Sequence, residues 1–181
     1  MNAEAYVGEN TDSVLGQEFL TWLWFCSESR PGSFTDAKGR PFSVVLNQRV
    51  VVQGGDGDTR ETTSVSGGAT DGAHLPLREA RLGLMTGKKV TRALLSLEQD
   101  GLSWQMVSKA DDFSINAYKT PKLASDDDED PDALFMEKMF VIEQGLALFD
   151  VLYKAFLEVR IVPAAWAQET REIGVWMARQ E

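Results

Sequence analysis

The residues best suited to catalysis are scarce in this chain. His74 is the only histidine and Cys26 the only cysteine among the 181 residues, which excludes the usual zinc sites built from these side chains. A Ser-His-Asp site would have to use His74, which lies in a glycine-rich segment with no nucleophile-elbow motif nearby. Cys26 stands in an aromatic run, which is typical of a small core residue. We therefore predict a protein that is not an enzyme and has no catalytic residues.

Two further segments resemble ligand-binding loops but lack the required spacing. The segment from Gly83 to Lys89 has three residues between its glycines where a phosphate loop has four, and Lys89 stands where Ser or Thr should hold magnesium. The acidic run Asp126–Asp130 lacks the alternating ligands and the central glycine of a calcium-binding EF-hand loop. A solvated loop that caps the following helix is the better interpretation. Gly55–Asp58 is likewise read as a turn, so we predict neither a metal nor a cofactor.

Basic residues are concentrated in one part of this acidic chain. The net charge is −10 and the pI is near 4.6, yet residues 76–123 hold eight basic and five acidic side chains. Lys88, Lys89 and Arg92 cluster at the start of a predicted strand, and Lys119 and Lys122 lie at the far end of the predicted sheet. Such residues neutralise phosphates and give sequence-independent binding. An ordinary solvated strand end is the alternative, and the residue chemistry alone favours it.

Length and composition indicate one domain spanning residues 1–181. A chain of this size buries enough surface to fold without disulfides or metals. The longest apolar runs, 23–26 and 140–142, are too short to span a bilayer. The first nine residues lack the basic and apolar regions of a secretory signal. We therefore expect a cytoplasmic protein with no membrane partner.

The first half of the chain predicts helices around a group of short strands. A buried helix is predicted from an N-cap at Asp12 or Ser13 to about Glu28, although a buried strand is an alternative for its apolar run. Phe42–Leu46 and Arg49–Gln53 predict a hairpin around Asn47-Gln48, and Thr59–Val65 predicts a third strand. Pro76 starts a short helix that ends at Gly87.

The next two strands form the clearest local pattern. Val90–Leu97 and Leu102–Lys109 flank Asp100-Gly101, a strong signal for a two-residue turn. This turn places Leu97 opposite Trp104 and Leu95 opposite Met106, so apolar residues meet on one face. Phe113–Tyr118 is predicted to continue the antiparallel sheet.

A long helix follows the acidic loop at residues 124–131. Asp130 is its predicted cap, Pro131 occupies its first position, and it extends to about Arg160. Its apolar residues recur at alternating steps of four and three, and we call them the seam: Phe135, Met139, Ile142, Leu146, Phe149, Tyr153 and Phe156. A parallel row widens it: Val141, Leu148, Leu152 and Val159. Pro163 starts a last helix with Trp166, Ile173, Trp176 and Met177 on one face. The predicted fold is thus α+β, an antiparallel sheet of hairpins packed against the long C-terminal helix and further helices.

Two segments resemble a known protein family. Residues 15–25, LGQEFLTWLWF, look like a segment in longer bacterial members of the recombination-associated protein RdgC family. Residues 87–95, GKKVTRALL, resemble that family's Gly-Lys-x-Val-Thr-Lys pattern at the start of a strand. A hairpin, an acidic loop and a long C-terminal helix follow in the same order. The similarity covers most of this chain but only about the C-terminal half of a full family member.

The resemblance implies a ring-forming dimer that binds double-stranded DNA without sequence preference and restrains the RecA recombinase. It implies DNA contacts through Lys88, Lys89 and Arg92, to which we add Arg78, Arg81, Lys119 and Lys122 as further candidates. The expected role is that of a non-enzymatic accessory protein in recombination or replication, nucleoid-associated, with the seam as core and dimer interface. The alternative is a protein-binding module that keeps the fold but engages a basic partner, or mimics a nucleic acid, through its acidic surface. Basic residues that share one face would favour the first hypothesis, and scattered ones the second.

Overall fold

The computed structural model describes residues 3–46, 49–53, 62–66, 75–122 and 130–178. Within these ranges, the side chains of residues 3–13, 49, 62–66 and 75–79 fall outside the description. The helices are α1 (Ala3–Ser29), α2 (Leu75–Met85), α3 (Pro131–Arg160) and α4 (Pro163–Ala178). The strands are β1 (Phe34–Thr35), β2 (Pro41–Val45), β3 (Arg49–Gln53), β4 (Thr62–Ser66), β5 (Lys89–Gln99), β6 (Leu102–Lys109) and β7 (Ile115–Lys119).

The predicted α+β class is confirmed. β2 to β7 form one antiparallel sheet, to which the two-residue β1 adds beside β2. The long β5 is the centre of this sheet, because it pairs with β2 and β3 along one edge and with β6 along the other. β4 and β7 extend the sheet beyond β3 and β6 respectively.

The predicted hairpin between Phe42–Leu46 and Arg49–Gln53 is wrong. β2 pairs with the C-terminal part of β5 and β3 with its N-terminal part, so both run antiparallel to the same strand and lie end to end. The hydrogen-bonding edge of an 11-residue strand is long enough for both segments, and the apolar pattern of each matches the buried face of β5. The hairpin partner of β3 is β4, which confirms the predicted third strand.

The β5–β6 hairpin has the predicted register. Leu97 pairs with Trp104 and Leu95 with Met106, and all four side chains are fully buried. Asp100 and Gly101 both have positive φ angles, 52° and 79°, as a type I′ turn requires.

The helices cover one face of the sheet. α1 packs on β5 and β2, and α2 packs on β3 and β4. α3 reaches the sheet at β6 and β7, where the Trp104 indole donates a hydrogen bond to the carbonyl of Val141 and the Tyr118 hydroxyl donates one to that of Ile142. α4 packs on all three other helices. No described helix is long and apolar enough to cross a membrane.

α1 begins well before its predicted cap, because residues 3–11 are already helical. Asp12 and Ser13 therefore lie inside the helix, where such residues cost only about 0.7 kcal/mol or less each relative to alanine. The apolar run of α1 is buried as predicted, with Phe19, Leu20, Leu23 and Trp24 fully inaccessible.

The seam of α3 is core in one half only. Phe149, Tyr153 and Phe156 surround the ring of Phe19, with centroids 5.4–5.8 Å away. Phe135, Met139 and Leu146 are exposed instead, so the N-terminal half of the seam does not contribute to the core as predicted. In the parallel row, Val141, Leu148 and Leu152 are buried and Val159 is half-buried. The predicted bounds of α3 and the Asp130 cap are confirmed, since Asp130 accepts a hydrogen bond from the Asp132 amide.

Candidate nucleic-acid interface

The side of the sheet opposite the helices forms what we call the open face. Val90, Ala93, Leu95 and Leu97 of β5 are completely buried against the helices. The residues that alternate with them are exposed or half-buried. Residues paired with these β5 residues face the same way, so buried and open-face side chains also alternate along the neighbouring strands. Any ligand that contacts this face meets side chains of β5, β6 and β7 that the core does not use.

A bulge places Lys89 and Arg92 together on the open face. Three residues apart, they would point to opposite faces of a regular strand. Val51 of β3 pairs with Arg92 but Val52 pairs with Val90, which leaves Thr91 as the extra residue. The Thr91 hydroxyl donates a hydrogen bond of 3.4 Å to the carbonyl of Val51. Because Val90 and Ala93 are both buried, Lys89 and Arg92 both face outward.

Lys109 joins this pair across the hairpin. It lies directly opposite Arg92 on β6. Lys109 is one of the eight basic residues in segment 76–123, but it is not among the DNA-contact candidates predicted from the sequence. The register of the Asp100-Gly101 turn could have found it, because the pairing that sets Leu97 opposite Trp104 also sets Lys109 opposite Arg92.

Lys119 extends the cationic surface along the sheet. It pairs with Gln105 on the open face of β7. By strand geometry it lies roughly 16 Å from Arg92, two strands across and four residues along. We call Lys89, Arg92, Lys109 and Lys119 the basic strip. Lys122 is exposed just beyond the end of β7.

Carboxylates mark the two ends of the basic strip. Asp111 and Asp112 lie just after β6 and are exposed. Hydrogen bonds with Ser114 lower the pKa of Asp112, and the charge of Lys109 lowers it further. At the other end Glu98 lies on the open face, and Asp100 is ion-paired with Arg40. Between these ends, the described side chains of the open face include four cations and no carboxylate.

Arg81 does not belong to this surface. It makes an ion pair with Glu28 and lies over the ring of Trp176, with its guanidinium carbon 5.1 Å from the ring centroid. Both partners are helical residues, so Arg81 joins α2 to α1 and α4 on the other side of the molecule. Arg78 also lies in α2, and its side chain is outside the described residues.

Lys88 is half-buried on the helical side. The end of α2 sets the position of Lys88. There the Lys88 amide donates a hydrogen bond to the carbonyl of Gly83, and Gly87 has a φ of 89°. These two features form a Schellman cap. Lys88 lines a cavity of about 260 Å³ between α1, α2 and α4, together with Glu18, Thr21 and Trp166, and Lys89 reaches the same cavity where β5 begins. Lys89 thus borders both the helical side and the open face, because it is the first residue of β5.

Of the two residues considered for catalysis, Cys26 is the one that the structure describes. Cys26 is buried in the core, and burial raises the pKa of its thiol to about 12, against the opposing effect of Arg30. A thiol with this pKa stays protonated at neutral pH and is a poor nucleophile. His74, Gly55–Asp58 and the acidic residues 126–129 lie outside the described residues.

No protein-family model matches this chain, and no curated protein or solved structure is similar enough to it to count as a match. The resemblance to the RdgC family therefore remains a prediction.

Proposed function

We propose that this protein binds double-stranded DNA without sequence preference through the basic strip, as a non-enzymatic accessory protein of recombination or replication. The observation that carries the proposal is the gathering of Lys89, Arg92, Lys109 and Lys119 on one open sheet face of an acidic chain. Three of them were candidates from the sequence, and the Thr91 bulge brings two of those together.

The cross-strand pair Arg92 and Lys109 supports an anionic ligand. Like charges directly opposite each other destabilise a sheet. A phosphate between the two side chains would turn this repulsion into attraction, because each cation would then contact a negative charge. Lys and Arg along a backbone also give the sequence-independent affinity expected of such a role.

The chemistry of the open face favours duplex over single-stranded nucleic acid. Proteins that bind single strands stack the bases on aromatic side chains. The described residues around the basic strip are aliphatic or polar instead, namely Val51, Leu94, Ser96, Gln105, Val107 and Asn116. Such a surface can contact phosphates but offers little for base stacking.

The net charge of −10 is compatible with this proposal because the carboxylates of α3 and α4 lie away from the basic strip. Carboxylates of α3 and α4 lie on or beyond the helical layer, and one helix is about 10 Å in diameter. The Debye length is also about 10 Å at 0.1 M salt. Near physiological salt, DNA at the open face is therefore attracted by the basic strip and largely screened from the acidic helices.

The resemblance to the RdgC family supports the same role. Of the three positions that it implies as DNA-facing, Lys89 and Arg92 belong to the basic strip, whereas Lys88 lies on the helical side. We retain a homodimer and a nucleoid location as parts of the proposal that this resemblance implies.

A binding titration with matched variants tests the proposal. The probe is a fluorescein-labelled duplex of about 20 base pairs in about 50 mM salt, a condition under which phosphate contacts dominate, and its unlabelled single strand is a competitor. The test variant replaces Lys89, Arg92 and Lys109 by Ala. The control replaces Lys38, Lys154 and Arg171, three exposed cations outside the basic strip, and so has the same net charge. We expect micromolar duplex binding that the test variant loses and the control keeps. Equal loss in both variants would show that only net charge matters and would contradict the assignment.

A further inference from the structure

The N-terminal part of α3 is a helix with little covering it. No residue from Pro131 to Phe140 is buried, and Val141 is the first residue of the helix that is. At 1.5 Å per residue, this uncovered stretch is about 15 Å long.

Large apolar side chains occupy this uncovered stretch. Phe135, Met136 and Phe140 are 61%, 67% and 63% exposed, and Met139 and Leu146 beside them are also exposed. We call these five residues the apolar end of α3. A buried aromatic ring covers 150–250 Å², so each phenylalanine leaves roughly 100 Å² of apolar surface in water. Contiguous exposed apolar surface of this kind marks an interaction site.

The charges around the apolar end specify the partner. Asp130, Asp132, Glu137 and Glu143 are exposed on the same stretch, and Lys138 is the only cation among residues 130–147. The sequence directly before the helix is Asp-Asp-Asp-Glu-Asp. A second copy of this chain would bring its own carboxylates against these, whereas a basic partner would neutralise them.

The spacing of the apolar residues specifies the partner's shape. Phe135, Met139, Ile142 and Leu146 continue the heptad seam whose C-terminal half packs in the core. A seam of this kind accepts a second helix packed alongside it. Methionine side chains adapt to differently shaped partners. We propose that the apolar end of α3 binds a basic amphipathic helix of another protein, independently of DNA binding by the basic strip.

Synthetic peptides test this proposal directly. The probe is a fluorescein-labelled helical peptide of Leu and Lys with the leucines on one face, and binding is followed by fluorescence anisotropy. One control peptide has the same composition in scrambled order, and another replaces Lys by Glu. We expect the amphipathic Lys peptide to bind at least about tenfold more tightly than either control, because only it offers both an apolar face and positive charge. Equal binding of the scrambled peptide, tighter binding of the Glu peptide, or no binding of the Lys peptide overturns the proposal.

Protein variants locate the binding surface. Phe135→Ala with Phe140→Ala should weaken peptide binding by about tenfold or more, since buried aromatic anchors dominate such interfaces. Ile161→Ala with Val175→Ala is the matched control, because Ile161, just after α3, and Val175, in α4, are 72% and 59% exposed. It should bind the peptide like the unchanged chain. Equal weakening in both double variants contradicts the location.

Light scattering tests whether a second copy of this chain, rather than another protein, covers the apolar end of α3. A dimer of the unchanged chain that dissociates in Phe135→Ala with Phe140→Ala would show that a second copy covers the apolar end, and would overturn the proposal. The variant without Lys89, Arg92 and Lys109 should keep its peptide binding, which separates this result from the outcome of the DNA titration.

Discussion

Arg92 and Lys109 lie directly opposite each other on neighbouring strands, on the sheet face that the helices leave open. The arrangement costs stability when no anion is present, since the two positive charges repel each other. A surface selected only for stability would carry opposite charges at these two positions. The position of these two cations therefore supports the proposed binding of phosphates at the open face.

The first prediction concerns the stability cost of this pair. Arg92→Glu replaces the repulsion by an attraction to Lys109 and should raise the free energy of unfolding by about 0.5–1 kcal/mol. Urea denaturation without DNA measures the change. Lys119→Glu is the control, because Lys119 faces the uncharged Gln105, and its effect should stay below about 0.5 kcal/mol. A less stable Arg92→Glu protein would argue against the cross-strand contact.

A second prediction distinguishes Arg81 from Lys89, which the sequence alone places together among the DNA-contact candidates. Arg81→Ala removes the ion pair with Glu28 and the contact with Trp176, so it should lower the free energy of unfolding by about 1–2 kcal/mol. Its DNA affinity should not change. Lys89→Ala should do the opposite, with weaker DNA binding and a stability change below about 0.5 kcal/mol. A fully folded Arg81→Ala protein that binds DNA as weakly as Lys89→Ala does would contradict this distinction.

The contact between α3 and the sheet leads to a third prediction. A Cβ atom at Gly145 would overlap the Tyr118 hydroxyl and the Trp104 indole, which both donate hydrogen bonds to α3 nearby. Gly145→Ala should therefore destabilise the chain by about 1–3 kcal/mol. Gly174→Ala, in α4, meets no atom within 4 Å and should stabilise it by up to about 1 kcal/mol, since alanine favours helix. Thermal unfolding of the two variants gives the comparison, and shifts in the same direction would contradict it.

A fourth prediction concerns the carboxylate that joins α4 to α1. Glu169 is buried and accepts hydrogen bonds from the Trp22 indole and the Arg30 guanidinium, each at 2.7 Å. The same guanidinium contacts Glu172, whose side chain is 44% exposed. Hydrogen bonds to these two carboxylates raise the pKa of Arg30, so the arginine stays charged.

Glu169→Gln should cost about 1–3 kcal/mol of unfolding free energy, because it removes the buried charge and leaves Arg30 paired with the exposed Glu172 alone. Glu172→Gln should cost less than about 1 kcal/mol, as an exposed ion pair does. Denaturant titrations of both variants measure these two changes in the free energy of unfolding. Equal effects would mean that burial of Glu169 adds nothing to the strength of its interaction.

Local patterns in the sequence predicted much of the fold. The Asp100-Gly101 turn was enough to set the register of β5 and β6, since it fixes every cross-strand pair of the hairpin. The Asp130 cap and Pro131 likewise gave the start of α3. In each case the determining residues are close together in the sequence.

The errors arose where partners distant in sequence decide the structure. Whether β2 and β3 pair with each other or lie end to end depends on β5, whose paired residues are about 36–55 residues away in the sequence. The bulge at Thr91 has no glycine or other local signal, yet it decides which face carries Arg92. The seam of α3 has one uniform pattern, and only the extent of the sheet and α1 determines which half is buried.

The salt dependence of DNA affinity tests the central claim most directly. Titrations of a labelled duplex at several salt concentrations give the slope of log affinity against log salt. Four phosphate contacts by the basic strip predict a slope of about −3 to −4, which should shrink to about −1 when Lys89, Arg92 and Lys109 are replaced by Ala. The control that replaces Lys38, Lys154 and Arg171 should keep the full slope. A slope that is the same in all three proteins, or no binding at low salt, would contradict DNA recognition by the open face.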